Sequence, residues 1–241
     1  RDNFFTLQAD WCRENNIEYI VHLNHEDQLP GLVRSSGDYF KNMRNVAVPG
    51  IDAIWAQIWM DHVADYPKLA SSAAHLYGRP RAFTESFAAY THKPSVSQAK
   101  WVLDYQMVRG INSIQVMFMS ASTPRPAPPV PAGTQQRPAS QAAPFLSFFQ
   151  TDTFPPVAHY INRSAYILSQ GRPAASIGLY FPSMSMWYGD NESNDSMLEI
   201  ARILMENQRD FDFVDEQAMT SVLQIESGGL KNLSGQVYRT I

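Results

Sequence analysis

Residues 78–90 read GRPRAFTESFAAY, a loop followed by a short strand and a carboxylate at the end of that strand. Pro80 discourages a continuing helix. Side chains alternate across a strand, so Phe83 and Glu85 share one face and Thr84 lies on the other. In parallel α/β barrels the carboxyl ends of strands carry the catalytic groups. Taken alone, Glu85 reads more readily as a solvated loop acid, and the surrounding pattern is what favours a functional role.

Strand and helix patterns alternate on both sides of this stretch. Runs rich in β-branched and aromatic residues predict further strands over Ile17–Leu23, Asn45–Val48 and Ile111–Met119. Helical patterns cover about residues 3–14, about 53–77 with an interruption near Pro67, and a segment capped by Ser95 or Ser97 and stopped by Gly110. This order predicts an α/β fold whose parallel sheet is joined by crossover helices. The chain lacks a glycine-rich phosphate-binding motif, which disfavours a nucleotide-binding doubly wound sheet.

Polar side chains cluster where three of the four predicted strands end. The candidates are His22, Asn24, His25, Glu26, Asp52 and Glu85. Because the carboxyl ends of parallel strands meet at one edge of a sheet, these groups are expected near one another. Plainer alternatives stand beside them, since Glu26 with Asp27 could form a solvated loop and Asp52 could cap a helix. His22 and His25 are three apart and would diverge on a strand, which argues against a zinc site.

The remainder of the chain restarts the alternation after a biased segment. Thr123–Pro144 holds seven prolines and fits either a flexible linker or a long loop over the site. A helix is predicted over Pro155–Gly171. Further strands and helices are predicted at Ala174–Phe181, Ser196–Gln208, Phe211–Val214, Glu216–Leu223 and Gln236–Ile241. This βαβαβ order is typical of a flavodoxin-like layer. Both ends of the chain interrupt an alternation, so we expect a piece of a longer polypeptide.

Composition narrows the class of protein. The chain has 241 residues, 44% hydrophobic, and a net charge of −4 without a long charge run, which disfavours nucleic acid or an anionic membrane as partner. No apolar run is long enough to span a bilayer. A single cysteine, Cys12, rules out an internal disulfide. Four Asn-x-Ser sequons, at Asn162, Asn191, Asn194 and Asn232, weakly favour a secreted glycoprotein.

An ordered set of segments carries a family resemblance. The segments are His22–Asp27, Gly37–Phe40, Pro49–Asp52, Tyr77–Phe87, Trp101–Asn112 and Tyr160–Gly171. Together they resemble the α-L-rhamnosidases of glycoside hydrolase family 106 and their relatives. The resemblance implies that residues 1–150 form the second half of a catalytic (β/α)₈ barrel. It implies that residues 151–241 hold a linking helix and the start of a flavodoxin-like domain.

The resemblance also implies carboxylate chemistry on a carbohydrate substrate. Glycosidic cleavage normally needs one carboxyl group as acid and a second as base or nucleophile. Glu85 is expected to be the base of an inverting reaction, and Glu26 an acid, a calcium ligand or a partner of sugar hydroxyls. The expected sugar-binding residues are His22, Asn24, His25, Asp52 and Tyr90. No cofactor is expected, with calcium as the alternative.

Three hypotheses follow for the function. The first is a secreted glycoside hydrolase that removes terminal α-L-rhamnose, or a related sugar, from a polysaccharide or glycoside. The second is a non-catalytic carbohydrate-binding or structural fragment of such an enzyme. The third is a flavodoxin-like or Rossmann-like protein that binds another small ligand, and the missing phosphate loop disfavours it.

Overall fold

The computed structural model describes residues 2–60, 65–90, 94–117, 152 and 154–241. The proline-rich segment Thr123–Pro144 lies outside the described residues, and so do both interpretations of it. Among the helices that are described, none combines the length and the apolar content needed to cross a membrane.

Four parallel strands form the sheet that positions the candidate site. They are β1 (Ile20–Val21), β2 (Val48–Ala53), β3 (Phe83–Ser86) and β4 (Ser113–Val116), in the order β1-β2-β3-β4. The sheet confirms the predicted α/β class. In β3, Thr84 and Ser86 are fully buried, and the Ser86 hydroxyl lies 3.2 Å from Gln106 Nε2 on the helix behind the sheet. Phe83 and Glu85 therefore face the other side, as the alternation predicts.

Nine α-helices and one π-helical turn are described. The turn is Asp2–Thr6, and the helices are α1 (Leu7–Glu14), α2 (Leu29–Ser36), α3 (Tyr39–Met43), α4 (Pro67–Leu76), α5 (Val96–Met107), α6 (Phe154–Leu168), α7 (Ser183–Trp187), α8 (Asn191–Glu206) and α9 (Glu216–Ser221). α5 begins with a reciprocal capping box, in which Ser95 and Gln98 each accept the other's backbone N–H. Gly110, at φ 91°, follows its last turn.

The predicted helix over residues 53–77 is wrong for its first part. β2 continues to Ala53, and of the residues described between positions 53 and 77 only Pro67–Leu76 are helical. Trp55 and Ala56 adopt φ values of 51° and 58°, which a right-handed helix does not permit. Pro67 fits because the first turn of a helix lacks the hydrogen bonds that proline would break.

Two further boundaries differ from the sequence prediction. The second strand was expected to end at Val48, before Pro49-Gly50, but β2 begins there and carries both residues. Its partner β1 is only two residues long, and Pro49 pairs with Val21 at the end of that ladder. Pro30-Gly31, a pair that by sequence would turn the chain, instead lies in the first turn of α2, where proline is again tolerated.

A second parallel pair lies beyond α6. β5 (Ile177–Tyr180) pairs with β6 (Phe211–Val214), and Thr240 bridges in parallel to Ile177. The strand expected at Gln236–Ile241 is shorter than predicted. Its residues Val237–Tyr238 form β9 in an antiparallel sheet with β7 (Gln224–Glu226) and β8 (Gly229–Lys231).

Helix α4 packs between the two parallel sheets. It contacts β2 on one side and β6 on the other. One cluster of buried hydrophobic side chains runs through both regions and includes Ile51, Leu69, Ala73, Phe181 and Phe213. The site-bearing sheet is therefore supported by the second part of the chain.

Candidate functional site

Four of the predicted side chains meet around the imidazole of His22. His22 Nε2 lies 3.2 Å from Glu85 Oε2. His22 Nδ1 lies 3.6 Å from Glu26 Oε1 and 3.9 Å from Asp52 Oδ2. We refer to His22, Glu26, Asp52 and Glu85 as the His22 cluster. Three carboxyl groups thus surround one histidine at the carboxyl edge of the parallel sheet.

Strand register explains why these groups converge. Asp52 of β2 is paired with Glu85 of β3, and paired residues of parallel strands project to the same face. His22 follows the last residue of β1, and its ring centroid lies 6.3 Å from that of Phe83. Gln115 of β4 is paired with Glu85 and is exposed, so it lies on the same face and extends the row. The sequence alone left the face of Gln115 open.

The protonation of His22 follows from its contacts. Glu26 is the main cause that raises the pKa of His22 to about 9, against the opposing effect of burial. Nδ1 lies 2.9 Å from the Leu23 carbonyl oxygen and donates to it. A cationic ring then directs its second N–H, on Nε2, toward Glu85. His22 is therefore an imidazolium at neutral pH that faces the most accessible carboxylate of the cluster.

Glu26 and Asp52 are the buried carboxyl groups. The Glu26 side chain is fully buried and its Oε1 accepts the Leu23 backbone N–H at 2.5 Å. Burial raises the pKa of Glu26, and burial followed by the charge of Glu26 raises the pKa of Asp52 to about 7. Glu26 Oε2 and Asp52 Oδ1 are buried without a hydrogen-bond partner among the described residues. Both therefore retain capacity to bind a proton, a sugar hydroxyl or a cation.

Tyr66 belongs to this region and was missed by the sequence analysis. Its side chain is buried and its hydroxyl has no hydrogen-bond partner within the described part of the chain. Burial, then the charge of Asp52, raises its pKa well above the usual range, so the hydroxyl stays a donor. The residue was read as part of a continuous helix before Pro67. No local motif marks it, and only the fold brings it near the carboxylates.

Three predicted sugar-binding residues, Asn24, His25 and Tyr90, are not members of the His22 cluster. Asn24 and His25 are exposed, and His25 has a left-handed backbone with φ of 67°. Tyr90 is 4% exposed, with its hydroxyl 3.4 Å from the Ile58 carbonyl and its ring against Phe87 and Trp59. A ring buried on this scale leaves no face for sugar stacking. Trp55, by contrast, is 64% exposed.

A cation is a possible occupant of the buried side of the cluster. His22, Glu26 and Asp52 each offer one atom, and these atoms lie within 4.8 Å of one another. Nδ1 of His22 is engaged with the Leu23 carbonyl, so it is a poor ligand. The unpartnered oxygens of Glu26 and Asp52 fit a hard cation such as calcium, which prefers oxygen ligands.

Comparisons with known proteins identify the family and the fold of the chain. A rhamnosidase structure from Novosphingobium sp. PP1Y matches at a TM-score of 0.67 and 21% identity, covering 98% of this chain and 22% of the other. The chain thus spans about a fifth of that enzyme's length, and the likeness shows a shared fold. A search of the curated proteins found no match. The model of the alpha-L-rhamnosidase family matches residues 2–241. This match covers nearly every residue, and the chain therefore belongs to the alpha-L-rhamnosidase family, glycoside hydrolase family 106.

Proposed function

We propose that this chain supplies one side of the active site of a hydrolase that removes terminal α-L-rhamnose, or a related sugar, from a polysaccharide or glycoside. One observation carries the proposal. Three carboxyl groups and a histidine, delivered by three successive parallel strands, meet at the carboxyl edge of the sheet. This is the edge at which parallel α/β barrels hold their catalytic groups.

Glu85 is proposed as the general base. Its side chain is 23% exposed, against 9% for Asp52 and none for Glu26, so it is the carboxylate that a substrate reaches most readily. His22 Nε2 lies 3.2 Å from Glu85 Oε2, so the imidazole is placed to orient the carboxylate that acts as the base. Inversion is proposed from the family resemblance alone, and it would require Glu85 to activate a water on the face of the sugar opposite the leaving group.

Asp52 and Glu26 are proposed to act on the buried side. Asp52 keeps a proton up to about neutral pH, which suits a group that donates to a leaving oxygen or to a sugar hydroxyl. Glu26 is completely enclosed, so it fits the positioning of His22 or the binding of a cation better than direct contact with a leaving group. If calcium binds here, Glu26 and Asp52 would hold it, and the ion would orient and polarise sugar hydroxyls.

The proposal extends to the organisation of the whole enzyme. Residues 1–150 are proposed to be the second half of a (β/α)₈ barrel, and residues 151–241 to begin a flavodoxin-like domain. This chain covers 22% of the rhamnosidase structure, which supports the proposal that its partner is the remainder of a larger polypeptide. Of the four sequons, Asn162 and Asn191 are exposed, whereas Asn194 and Asn232 are buried and closed to glycosylation. The proposal that the protein is secreted and glycosylated therefore depends on the two exposed sequons.

Replacement of the proposed base tests the mechanism. In the full-length protein, Glu85→Gln should lower kcat for nitrophenyl α-L-rhamnoside by about 10²–10⁴-fold, the usual contribution of a general base. KM and the melting temperature should change little, because Glu85 is partly exposed. Glu199→Gln on α8 is the matched control, since this exposed glutamate pairs with Arg202 on the same helix. It should leave kcat unchanged.

Two results would contradict this assignment. Near-normal turnover by Glu85→Gln would remove Glu85 from the mechanism, and retained sugar binding without turnover in the unmodified protein would favour the non-catalytic alternative. Proton NMR of the first sugar released tests the stereochemistry separately. An inverting enzyme releases β-L-rhamnose from an α-linked substrate, whereas initial release of the α-anomer would contradict the inverting role of Glu85.

A further inference from the structure

A second acidic cluster lies at the carboxyl ends of β5 and β6, separate from the His22 cluster. Asp215 and Glu216 directly follow β6, and Asp38 precedes α3 in the first part of the chain. Each offers one carboxylate oxygen, and the three oxygens lie within 4.8 Å of one another. We refer to these residues as the Asp215 cluster.

Asp215 is the buried member, and one of its oxygens is unexplained. The residue is 0% exposed, and its Oδ1 accepts the Ala218 backbone N–H at 3.0 Å as the cap of α9. Its Oδ2 is enclosed and has no hydrogen-bond partner among the described residues. A buried carboxylate oxygen without a partner is strongly unfavourable. The nearby carboxylates of Asp38 and Glu216 add negative charge, so a bound positive charge would stabilise the cluster further.

The surrounding protein does not supply that charge. The Ser183 hydroxyl lies 2.5 Å from Asp38 Oδ2 and 3.1 Å from Glu216 Oε2, and its one proton cannot serve both. The Tyr180 hydroxyl donates to the other Glu216 oxygen. Across the described ranges no lysine, arginine or histidine forms an ion pair with these carboxylates. Burial, followed by the charge of Asp38, raises the pKa of Asp215 to about 7.

We propose that Asp38, Asp215 and Glu216 bind a hard divalent cation, for which calcium is the best candidate. The donors are all oxygens, which is the set that calcium and magnesium prefer over transition metals. Ligand bonds of about 2.3–2.6 Å allow three oxygens at this mutual separation to reach one calcium ion. The irregular arrangement of three carboxylates suits calcium better than magnesium, which demands near-ideal octahedral geometry.

The position of the ion gives it a structural role. Asp38 comes from the part of the chain that carries the His22 cluster, and the other two ligands come from the ends of the second parallel sheet. A bound cation would therefore fasten the two parts together. No residue is shared with the His22 cluster, so this proposal stands whether or not the glycosidase mechanism is correct.

Substitution of Asp215 by asparagine isolates the site. Asn caps a helix about as well as Asp, so Asp215→Asn removes one negative charge and keeps the hydrogen bond to Ala218. Asp190→Asn is the matched control. Asp190 caps α8 in the same way, through Ser193 N–H, but it is exposed and lies outside the cluster.

Thermal unfolding and terbium luminescence are measured on the full-length protein and both variants. In the unmodified protein and in Asp190→Asn, saturating calcium added after EDTA should raise the melting temperature by about 5 °C. In Asp215→Asn this response should be lost apart from what a calcium ion at the His22 cluster contributes, so the difference between the two variants measures the Asp215 cluster. Terbium binding should be excited through the nearby Tyr180, and the Asp215→Asn protein should lose that component while Asp190→Asn keeps it.

The competing explanation is that a proton shared between carboxylates of the Asp215 cluster, rather than a cation, compensates the buried oxygen of Asp215. In that case EDTA and calcium would leave the melting temperature of all three proteins unchanged or shift it equally, and Asp215→Asn would keep the full terbium signal. Either result would overturn the proposal. An equal response of the unmodified protein to calcium and magnesium would overturn the preference for calcium, and a response to magnesium alone would reassign the ion.

Discussion

Asp212 is the most heavily bonded buried carboxylate of the described structure. It is fully buried in β6 and accepts hydrogen bonds at 2.9 Å from His75 Nδ1, Gln236 Nε2 and the Tyr238 hydroxyl. Lys68 Nζ lies 3.5 Å away. Burial alone would raise the pKa of Asp212, but the positive charges of His75 and Lys68 and these hydrogen bonds hold it well below its usual range.

Asp212→Asn should destabilise the protein by about 3–5 kcal/mol. The substitution leaves Lys68, itself 1% exposed, in an enclosed site with less compensating charge, and breaking a buried ion pair has this order of cost. Urea unfolding at neutral pH measures the change. Asp10→Asn is the control, because the Asp10–Arg13 pair is exposed and should contribute less than about 1 kcal/mol.

The same substitution has a predicted pH dependence. The folded pKa of Asp212 is lower than the unfolded value of about 3.9, so its stabilisation is present above that pH and is lost as the pH falls below it. The difference between the two proteins should therefore stay constant from neutral pH to about pH 4 and shrink as the pH is lowered from there to about 2. A difference that stayed constant over this range would show that the charge of Asp212 is not what stabilises the fold.

At the residue scale, the sequence predicted which polar side chains lie close together when those residues follow or end a predicted strand. His22, Glu26, Asp52 and Glu85 each follow or end a run of strand-forming residues, and the structure brings all four together. Which of them contact a substrate remains a prediction. Tyr90 was expected to bind sugar, yet side-chain burial depends on packing partners, such as Trp59, that a single sequence does not reveal.

At the scale of elements, the contact between β2 and β3 depends on a missing side chain. Gly50 is paired with Phe83, and a Cβ atom at Gly50 would lie 1.9 Å from Phe83 Cε1. The Phe83 ring occupies this space and also lies beside the imidazole of His22. The pair therefore links the sheet to the His22 cluster.

Gly50→Ala should lower both stability and activity. Overpacking of this kind costs about 1–3 kcal/mol, and displacement of the Phe83 ring toward His22 should reduce kcat about tenfold or more. Denaturant unfolding and nitrophenyl rhamnoside assays measure the two effects. Gly31→Ala is the control, because its Cβ would meet nothing closer than 3.4 Å and α2 should gain from alanine. Unchanged activity in Gly50→Ala would show that Phe83 does not position His22.

Elements were predictable where one local signal was unambiguous. β6 has the predicted bounds Phe211–Val214, and α5 begins at Ser95, one of the two predicted caps. Runs of β-branched and aromatic residues and capping boxes both act over a few residues. Pro49-Gly50 normally marks a turn, so the sequence predicted a strand end before this pair. In the structure the neighbouring Phe83 ring makes glycine necessary within the strand. The β7–β8 hairpin was missed altogether.

At the scale of the whole molecule, aromatic side chains join the two parallel sheets. The Phe40 ring of α3 lies 5.3 Å from that of Phe181, and Phe181 lies 5.7 Å from Phe213 of β6. All three side chains are fully buried. Local patterns predicted β6 and the strand that leads to Phe181, whereas α3 was not predicted. Such patterns could not predict that these elements share a core, because that depends on residues more than 140 positions apart.

This shared core predicts a single unfolding transition for the described parts of the chain. Phe181→Ala should destabilise them by about 3–5 kcal/mol, the usual cost of removing a buried phenylalanine. Urea transitions followed by far-ultraviolet circular dichroism and by tryptophan fluorescence should shift together, since the cavity lies between the two sheets. Tyr188→Ala is the control, because Tyr188 follows α7 and is 80% exposed, so its loss should change little. If Phe181→Ala separated the two transitions while leaving the one from the His22-bearing sheet in place, the sheets would be independent units. The support of the His22-bearing sheet by α4 and β6 would then have to be rejected.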